Sequence, residues 1–328
     1  MTEQPLLSVR HLTTEFVLPN GEVARALEDV SFDVSPGQTL GLVGESGCGK
    51  TTTLMSVMRL LPANGRITGG QVLFNGTDLL SLSERRMRAY RWKEIAIIFQ
   101  SAMNALNPVM RIGDQIAEPI LLHDLMNRDR AGKRVDELLD LVGIPPDRRD
   151  QYPHQYSGGM RQRAMIAMSL ACSPDLLFAD EPTTALDVMI QAQVLELLRK
   201  IQKALGLAIV LVTHDLGVVA EVCDSVVVMY GGKVAEYASA DVIYNQPEHP
   251  YTRRLLASFP DVNRPGETLA SIPGTPPRLT ALPRGCRFEP RCDVKLTRCA
   301  EIDPPLVLPA ESHFVACHLC QGPEAHFP

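Results

Sequence analysis

The chain has 328 residues, of which 45% are hydrophobic and 21% charged, so it has enough apolar material for one large domain and a smaller one. Its net charge of −6 argues against a nucleic-acid binder, because phosphate backbones call for clustered Lys and Arg. The apolar runs are far shorter than the roughly 18 residues that cross a bilayer, and the N-terminus shows no secretory signal. We therefore expect a soluble, cytoplasmic protein that reaches a membrane only through partner chains.

Two segments of alternating polarity begin the chain. Residues 6–16 and 23–35 are typical of strands, and the turn sequence Pro19-Asn20-Gly21 between them predicts an antiparallel sheet. Phe16 stands at the end of the first strand. Its ring could stack on an adenine base or belong to the core, and the residues alone leave both possibilities open.

The most specific motif lies in residues 40–54, LGLVGESGCGKTTTL. An apolar strand runs into a glycine-rich turn and then a helix-forming run, which matches G-x-x-x-x-G-K-[ST] in the context that this motif requires. Glycines let successive N–H groups surround phosphate oxygens, and the helix N-terminus faces the same anion. Lys50 can reach the β- and γ-phosphates, and the Thr51 hydroxyl can bind Mg²⁺. The segment predicts a nucleotide site.

The middle of the chain predicts a strand at 69–80 with an Asn-Gly turn, a buried strand at 95–100, and mainly helices from about 104 to 172. The buried strand ends on the polar amide of Gln100, which suits a residue pointing into a site. Ser157 and the two glycines after it open a helix. Their N–H groups could receive an anion, although an ordinary capped helix has the same sequence.

Two further strands end in polar residues. Residues 176–179 lead into Asp180 and Glu181, and adjacent carboxylates at the end of a buried strand are costly unless a cation compensates them. Residues 207–215 repeat the pattern with His214, which could hydrogen-bond a γ-phosphate or be structural. A helix at 188–205 and a hairpin at 225–236 complete an alternation that predicts a mostly parallel sheet.

In this order, the segments GESGCGKT, Gln100, YSGGM, LLFADE, TALD and TH resemble the nucleotide-binding subunit of an ATP-binding-cassette (ABC) transporter over residues 6 to about 245. The resemblance implies an α/β fold: a P-loop ABC ATPase core with a mostly parallel sheet, an antiparallel β subdomain and a helical subdomain. It also implies that two subunits pair head to tail, with each ATP between the phosphate loop of one subunit and the Ser-Gly-Gly signature of the other.

The resemblance assigns roles to individual residues. Phe16 corresponds to the adenine-stacking position, Asp187 to the interface residue and His214 to the γ-phosphate switch. Gln100 corresponds to the residue that senses Mg²⁺ and the attacking water, Asp180 to the Mg²⁺ carboxylate and Glu181 to the catalytic base. The implied ATP-binding loop comprises Gly44, Glu45, Ser46, Gly47, Cys48, Gly49, Lys50, Thr51 and Thr52, and the signature comprises Ser157, Gly158, Gly159 and Met160. Tyr156 and Met160 depart from the commonest residues, leucine and glutamine, without removing the signature N–H donors.

Segments outside the shared core resemble the oligopeptide/dipeptide importer branch. They include HPYTRRLLAS, a proline-rich link at 260–283 and a cysteine-rich tail. We expect a nucleotide-binding domain at 1–245, with its helical subdomain at about 104–172, and a C-terminal extension at 246–328. No catalytic position is missing, so the resemblance implies a hydrolysis-competent site.

Five of the eight cysteines lie in the last 43 residues. In a reducing compartment disulfides are rare, and four thiolates in a loop-rich tail suit a metal, either zinc or a [4Fe–4S] cluster. The importer branch implies an iron–sulfur site at Cys286, Cys292, Cys299 and Cys317, with Cys320 spare or alternate. A tail without metal and a redox-sensing module are the alternatives.

The sequence thus predicts an ATPase that powers import of di- or oligopeptides, using ATP and Mg²⁺. The implied partners are a second, related ATPase subunit, two transmembrane permeases and, indirectly, a substrate-binding protein, with no nucleic acid. Its place would be the cytoplasmic face of a bacterial or archaeal membrane. Other cargoes, such as oligosaccharides or metal chelates, remain possible. A non-transport ABC ATPase is disfavoured by the single uninterrupted cassette and the acidic balance.

Overall fold

The computed structural model describes residues 4–100, 105–184, 186–258 and 271–325. They fall into two compact units, one of residues 1–35, 39–81 and 212–328 and one of residues 36–38 and 82–211. Asn104, where the helical segment was expected to begin, and residues 260–270 of the proline-rich link lie outside the described residues. The expected division of the chain at residue 245 stays a prediction.

The α/β fold class is confirmed. The strands are β1 Leu7–Val17, β2 Val23–Val34, β3 Thr39–Val43, β4 Gly65–Phe74, β5 Thr77–Asp78, β6 Ile95–Ile98, β7 Leu176–Asp180, β8 Ala208–Thr213, β9 Ser225–Tyr230, β10 Lys233–Ser239, β11 Val307–Ala310 and β12 His313–Val315. The helices are α1 Lys50–Val57, α2 Glu84–Tyr90, α3 Ile112–Leu122, α4 Arg128–Leu141, α5 Gly158–Ser169, α6 Val188–Leu205, α7 Leu216–Val222, α8 Ala240–Asn245 and α9 Pro250–Ala257. Within the described ranges, no helix has the length and apolar character to cross a membrane.

The first unit contains an antiparallel sheet in the order β2-β1-β4-β5. The expected hairpin is confirmed: Val17 pairs with Val23, and Gly21 in the connecting turn has φ +84°. The third strand, expected at 69–80, starts earlier, because Gly65 pairs with Phe16 across the sheet. That pairing is long-range, so local alternation alone could not reveal it.

The first unit also contains strands in the order β11-β12-β10-β9-β3. β3 and β9 are parallel and buried over their whole length, as expected for strands covered on both faces. The expected hairpin of β9 and β10 is confirmed, with Gly231 and Gly232 at φ +54° and +88° in the turn. β11 and β12 are short and lie in the tail. Their sequences show little of the alternation of polar and apolar residues that predicts a strand.

The second unit combines parallel strands with a helical layer. β6 and β7 pair in parallel, residues 208–211 of β8 lie next to β7, and β7 and β8 are completely buried. The helices expected at 104–172 are found as α3, α4 and α5. The apolar stripe of α4 buries Val135, Leu138 and Leu139, and Gly143 at φ +73° follows its C-terminus.

A buried carboxylate joins the start of α9 to β10. Glu236 of β10 is fully buried and accepts the N–H groups of Glu248 (2.7 Å) and His249 (3.1 Å) as well as the His313 ring (2.8 Å). Burial alone would raise the pKa of Glu236, but these hydrogen bonds lower it. His249 in turn caps α9, because its Nδ1 accepts the N–H of Tyr251 at 3.0 Å.

The burial of the His249 ring predicts that the folded protein loses stability in acid. Burial lowers the pKa of His249 to about 4, while the nearby Glu236 acts to raise it and Arg253 to lower it. A proton on Nδ1 would remove the cap on α9, because Nδ1 could then no longer accept the Tyr251 N–H. The unfolded chain takes up a proton near pH 6.5 and the folded chain does not, so stability falls as pH drops from 6.5 towards 4. We expect the free energy of unfolding to fall by about 2 kcal/mol more between pH 7 and pH 5 in the parent than in His249→Asn. Urea unfolding at both pH values measures this difference, with exposed His154→Asn as the control. The prediction would be contradicted if the free energy of unfolding fell equally between pH 7 and pH 5 in the parent and in His249→Asn.

Candidate nucleotide site

The predicted site residues fall in both units. Phe16, the phosphate loop and His214 belong to the first unit, and Gln100, the signature, Asp180, Glu181 and Asp187 belong to the second. The phosphate loop follows β3, and Asp180 and Glu181 lie at the end of β7, so each group includes residues at the carboxyl end of a parallel strand, where α/β proteins place their ligands.

The phosphate loop connects buried β3 to α1. Gly44 and Gly49 have φ +148° and +110°, which L side chains rarely adopt. A Cβ atom on Gly44 would lie 2.2 Å from the Met229 carbonyl oxygen, and one on Gly49 would lie 2.9 Å from that of Ala26. The glycines are therefore required by close packing as well as by backbone conformation.

Lys50 lies inside this loop. Its Nζ donates to the carbonyl oxygens of Gly44 (2.7 Å) and Glu45 (3.1 Å), and only 6% of the residue is exposed. The Cys48 thiol is also buried, and burial raises its pKa. α1 begins at Lys50, and no side chain caps its N-terminus. The backbone N–H groups of this first turn could therefore bind an anion. Thr51 is exposed on this first turn.

Phe16 and His214 also belong to the first unit. Phe16 is half-buried, and its ring lies over Gly65, where a Cβ atom would come within 2.8 Å of it. His214 is exposed directly after β8. Asp215 behind it caps α7 by accepting the N–H of Gly217 at 2.9 Å. Adenine stacking and phosphate sensing by these two residues stay predictions.

In the second unit, Gln100 and Glu181 lie in direct contact. Asp180 ends β7 and is only 2% exposed, and Glu181 follows with φ +46°, an uncommon conformation for a residue with a side chain. Oε2 of Glu181 accepts Gln100 Nε2 at 2.8 Å and Thr184 Oγ1 at 2.9 Å. Two residues 81 positions apart, each expected to serve the attacking water, thus meet at one carboxylate.

The signature opens α5 as expected. Ser157 is exposed and caps the helix by accepting the Met160 N–H at 3.3 Å. Tyr156, where leucine is commonest, buries its ring and donates its hydroxyl to the Arg148 carbonyl at 3.1 Å. Burial raises its pKa to about 12, so the hydroxyl stays neutral. The substitution is therefore accommodated in the core and leaves the exposed Ser-Gly-Gly start unchanged.

Two contacts connect neighbouring motifs of the second unit. Asp187 caps α6 by accepting the Ile190 N–H at 3.0 Å, and Ile190 packs against Gly159 of the signature. Gln162, buried on α5, donates to the carbonyl of Pro182 just after Glu181. Sequence reasoning missed Gln162, because a polar residue within a helical apolar stripe does not reveal its partner.

The tail cysteines approach one another without forming a compact metal site. The Cys286 N–H donates to the Cys299 carbonyl at 2.8 Å. Burial, followed by the fields of Cys299 and Cys317, raises the pKa of Cys286 to about 11 and also raises that of Cys292. Among the residues that the structure describes, no group of three or more His, Cys, Asp or Glu side chains could hold a metal ion as it stands.

Comparison with known protein families gives two matches in separate parts of the chain. Residues 27–184 match the ABC transporter family, and residues 235–299 match the oligopeptide/dipeptide transporter C-terminal region. The second match contains the start of α9 and three of the tail cysteines. It thus covers most of the segments that set this chain apart from a bare cassette.

Individual relatives agree with these matches. The chain is 49% identical over 319 residues to the dipeptide transport ATP-binding protein DppD of Bacillus subtilis, covering 96% of this chain and 95% of that one. It is 47% identical to the oligopeptide transport ATP-binding protein OppD of Escherichia coli, covering 91% and 89%. Among solved structures, the dimeric ATP-binding cassette MJ0796 with ADP and Pi superposes with a TM-score of 0.64 at 26% identity, covering 71% of this chain and 98% of that one.

Proposed function

This chain belongs to the ATP-binding subunits of ABC transporters, in the oligopeptide and dipeptide branch, and on that basis we propose how its residues bind and hydrolyse ATP. It is an ATPase of a peptide importer, converting ATP and water to ADP and phosphate. Peptides are the proposed cargo because its relatives are named for dipeptide and oligopeptide transport. This favours peptides over the oligosaccharide and metal-chelate alternatives.

The phosphate loop is proposed to hold the triphosphate. Lys50 would exchange its bonds to the Gly44 and Glu45 carbonyls for oxygens of the β- and γ-phosphates. Phe16 would stack on the adenine, and His214 would contact the γ-phosphate. The positive φ angles of the loop glycines support this role, because they allow successive N–H groups to face one anion.

The donor set fits a magnesium ion. The Thr51 hydroxyl, the Asp180 carboxylate and the Gln100 amide oxygen are hard oxygen ligands of the type that Mg²⁺ prefers, and Asp180 is a buried acid at a strand end. Mg²⁺ bound there would neutralise charge on the phosphate oxygens. These three residues are its proposed ligands.

Glu181 is the proposed catalytic base, and its hydrogen bond with Gln100 is the observation that carries this assignment. One carboxylate oxygen is already held by Gln100 and Thr184. The other oxygen would take the proton of the attacking water as the water bonds to the γ-phosphorus. Catalysis here requires a water in line with the departing ADP, so fixing the carboxylate is the main contribution of these contacts.

We infer that the complete site is shared between two subunits. Ser157, Gly158, Gly159 and Met160 would face the partner's ATP, and Asp187 would lie at the same interface. The exposed hydroxyl and helix start of Ser157 support this. The partner is proposed to be a second, related ATPase. Two permease subunits and a substrate-binding protein would complete the importer, with this chain on the cytoplasmic face of the membrane.

ATP-driven pairing tests this arrangement. Mg-ATP should convert a mixture of the Glu181→Gln form and its partner ATPase into dimers, because slow turnover keeps ATP at the interface. Adding Ser157→Arg should prevent the dimers, because a long cation would occupy the place of the partner's γ-phosphate. Light scattering measures the molar mass of the complex. The control is Ser83→Arg, because Ser83 is exposed and lies outside the signature. Dimers that form equally well with Ser157→Arg would exclude the shared site.

The tail is proposed to hold a [4Fe–4S] cluster on Cys286, Cys292, Cys299 and Cys317. The hydrogen bond from the Cys286 N–H to the Cys299 carbonyl brings two of the four residues together, which supports a common ligand. A four-iron cluster binds each thiolate through a different iron, so its ligands need not converge on one point. When bound, it would cross-link the tail, and a structural role is favoured because no other electron carrier is implied.

Anaerobic purification tests the cluster. We expect a broad absorption band near 400 nm and about four irons and four sulfides per chain, as a Cys₄ cluster requires. Cys292→Ser should lower both, whereas Cys172→Ser, outside the tail, should change neither. A colourless protein with stoichiometric zinc would replace the cluster by a structural zinc site, and a protein without metal would remove the proposal.

A further inference from the structure

Two residues of the C-terminal extension meet at Glu45, the second residue of the phosphate loop. Both guanidinium NH groups of Arg291 engage its carboxylate, with Nη1 2.5 Å from Oε2 and Nη2 3.0 Å from Oε1. The Tyr251 hydroxyl accepts the backbone N–H of Glu45 at 2.9 Å. The extension therefore holds both the side chain and the backbone of this loop residue.

Arg291 is itself held from several sides. It donates to the Pro273 carbonyl at 2.7 Å and to the Tyr230 hydroxyl at 3.2 Å, and its side chain is only 4% exposed. Burial alone would lower its pKa, but the hydrogen bonds to Glu45 and Tyr230 raise it. A bidentate arginine–carboxylate pair restricts the position of both partners, and here the arginine is buried while 25% of the Glu45 side chain is exposed.

Tyr251 is equally restrained. It is fully buried, and its ring packs against Tyr230 at 4.6 Å and Phe288 at 5.4 Å between ring centroids. Tyr230 ends β9, whereas Tyr251 and Phe288 come from the extension. Three aromatic rings thus give the hydroxyl a fixed place from which to hold the loop.

The backbone at Gly44 and Glu45 is contacted from two directions. Lys50 donates to both carbonyl oxygens, and Tyr251 accepts the N–H between them. When Lys50 turns to phosphate, the contacts of Tyr251 and Arg291 would remain to keep the turn in shape. The loop would otherwise lose order, because glycines are the residues that lose most entropy on folding.

We propose that Arg291 and Tyr251 are positioning residues for the phosphate loop, so that the C-terminal extension sets the affinity of this subunit for ATP. The inference depends on the proposed binding of ATP to residues 44–52. It gives the extension a role in nucleotide binding besides any role of its cysteines. The mechanism is preorganisation: a loop already in its binding shape loses less entropy when ATP binds.

A double-mutant cycle in the full chain tests the pair. Arg291→Gln and Glu45→Gln should each weaken binding of a fluorescent ATP analogue with Mg²⁺ by about tenfold. The double variant should be weakened by about tenfold rather than a hundredfold, because both changes break one interaction. Thermal unfolding of each variant, recorded in parallel, reports stability.

Arg287→Gln is the matched control. Arg287 is buried in the same segment, with 7% of its side chain exposed, but pairs with Glu28 and the Gly231 carbonyl rather than with the loop. It should lower the unfolding temperature and leave ATP affinity within about twofold of the parent. Equal weakening by Arg287→Gln and Arg291→Gln would overturn the proposal, since loss of ATP affinity would then follow stability alone.

Tyr251→Phe keeps the aromatic packing and removes only the hydroxyl. It should weaken ATP binding by about threefold, and it decides the question if Arg291→Gln does not fold. Parent-like affinity in Tyr251→Phe would overturn the inference, and so would parent-like affinity in folded Arg291→Gln. Failure of the proposed function has a different signature, because the parent chain itself would then bind no ATP.

Discussion

Replacement of Glu181 by Gln is expected to reduce ATP turnover by about 10³-fold while the protein still binds ATP. Glutamine preserves the shape of the side chain and can still bond to Gln100 and Thr184, but it cannot accept the proton of the attacking water. Loss of a positioned general base costs about 10²–10⁴ in rate. Phosphate release from saturating Mg-ATP, measured with the partner ATPase present, checks this.

The control for Glu181→Gln is a carboxylate on a neighbouring surface. Glu196 lies on α6 and pairs with Arg199 in solvent, so Glu196→Gln removes the same charge away from the proposed site. Its turnover should equal that of the parent. Turnover by Glu181→Gln within tenfold of the parent would show that another group takes the proton.

Replacement of Lys50 by Met is expected to remove ATP binding, with an affinity at least about a hundredfold weaker than that of the parent. Methionine keeps an unbranched chain of similar length but cannot bond to phosphate, and charge-assisted bonds to two phosphates are lost together. The carbonyls of Gly44 and Glu45 also lose their donor, so we expect a looser loop. Titration with a fluorescent ATP analogue measures the affinity.

A second lysine of the same unit provides the comparison. Lys233 is half-buried and pairs with Glu28 and Asp303. Lys233→Met loses these ion pairs but should bind ATP like the parent. If Lys50→Met kept the affinity of the parent, ATP would have to bind elsewhere. Together, the two main variants separate ATP binding from ATP hydrolysis. Lys50→Met should prevent binding, whereas Glu181→Gln should bind ATP without hydrolysing it at an appreciable rate.

The sequence predicted most of the local structure around the candidate site. The glycine pattern of 44–49 predicted a turn that permits positive φ, and the apolar runs before Gln100 and Asp180 predicted strands that end close to these polar residues. These features depend on local sequence, so they could be predicted without knowing which distant residues they contact. The first two strands and their turn were predictable for the same reason.

Contacts between distant residues were not predictable. Arg291 meets Glu45 across 246 residues, and Gln162 meets the Pro182 carbonyl from a helix whose sequence mixes polar and apolar residues. The tail contains several arginines, and no periodicity in its sequence indicates which partner Arg291 has. The HPYT segment stood out in the sequence as a mark of the branch, yet only the structure shows that its tyrosine hydroxyl accepts the Glu45 N–H of the phosphate loop.

The tail shows a further limit of spacing. The intervals between cysteines predicted a metal site, but the described thiols do not close around a single ion. Cysteine spacing reports which ligands are available, whereas the arrangement of the sulfurs depends on what they bind. The thiol of Cys320 donates to Cys317, lowering the pKa of Cys317 and raising that of Cys320, so the supposed spare cysteine has a partner.

Peptide uptake by reconstituted transporter tests the central claim most directly. Vesicles containing the permeases, both ATPase subunits and the substrate-binding protein should accumulate a labelled oligopeptide when supplied with Mg-ATP. Vesicles with Glu181→Gln in this chain should accumulate almost none, although ATP still binds. ATP-driven uptake that continues at the parent rate with Glu181→Gln would contradict the claim that hydrolysis by this subunit powers import.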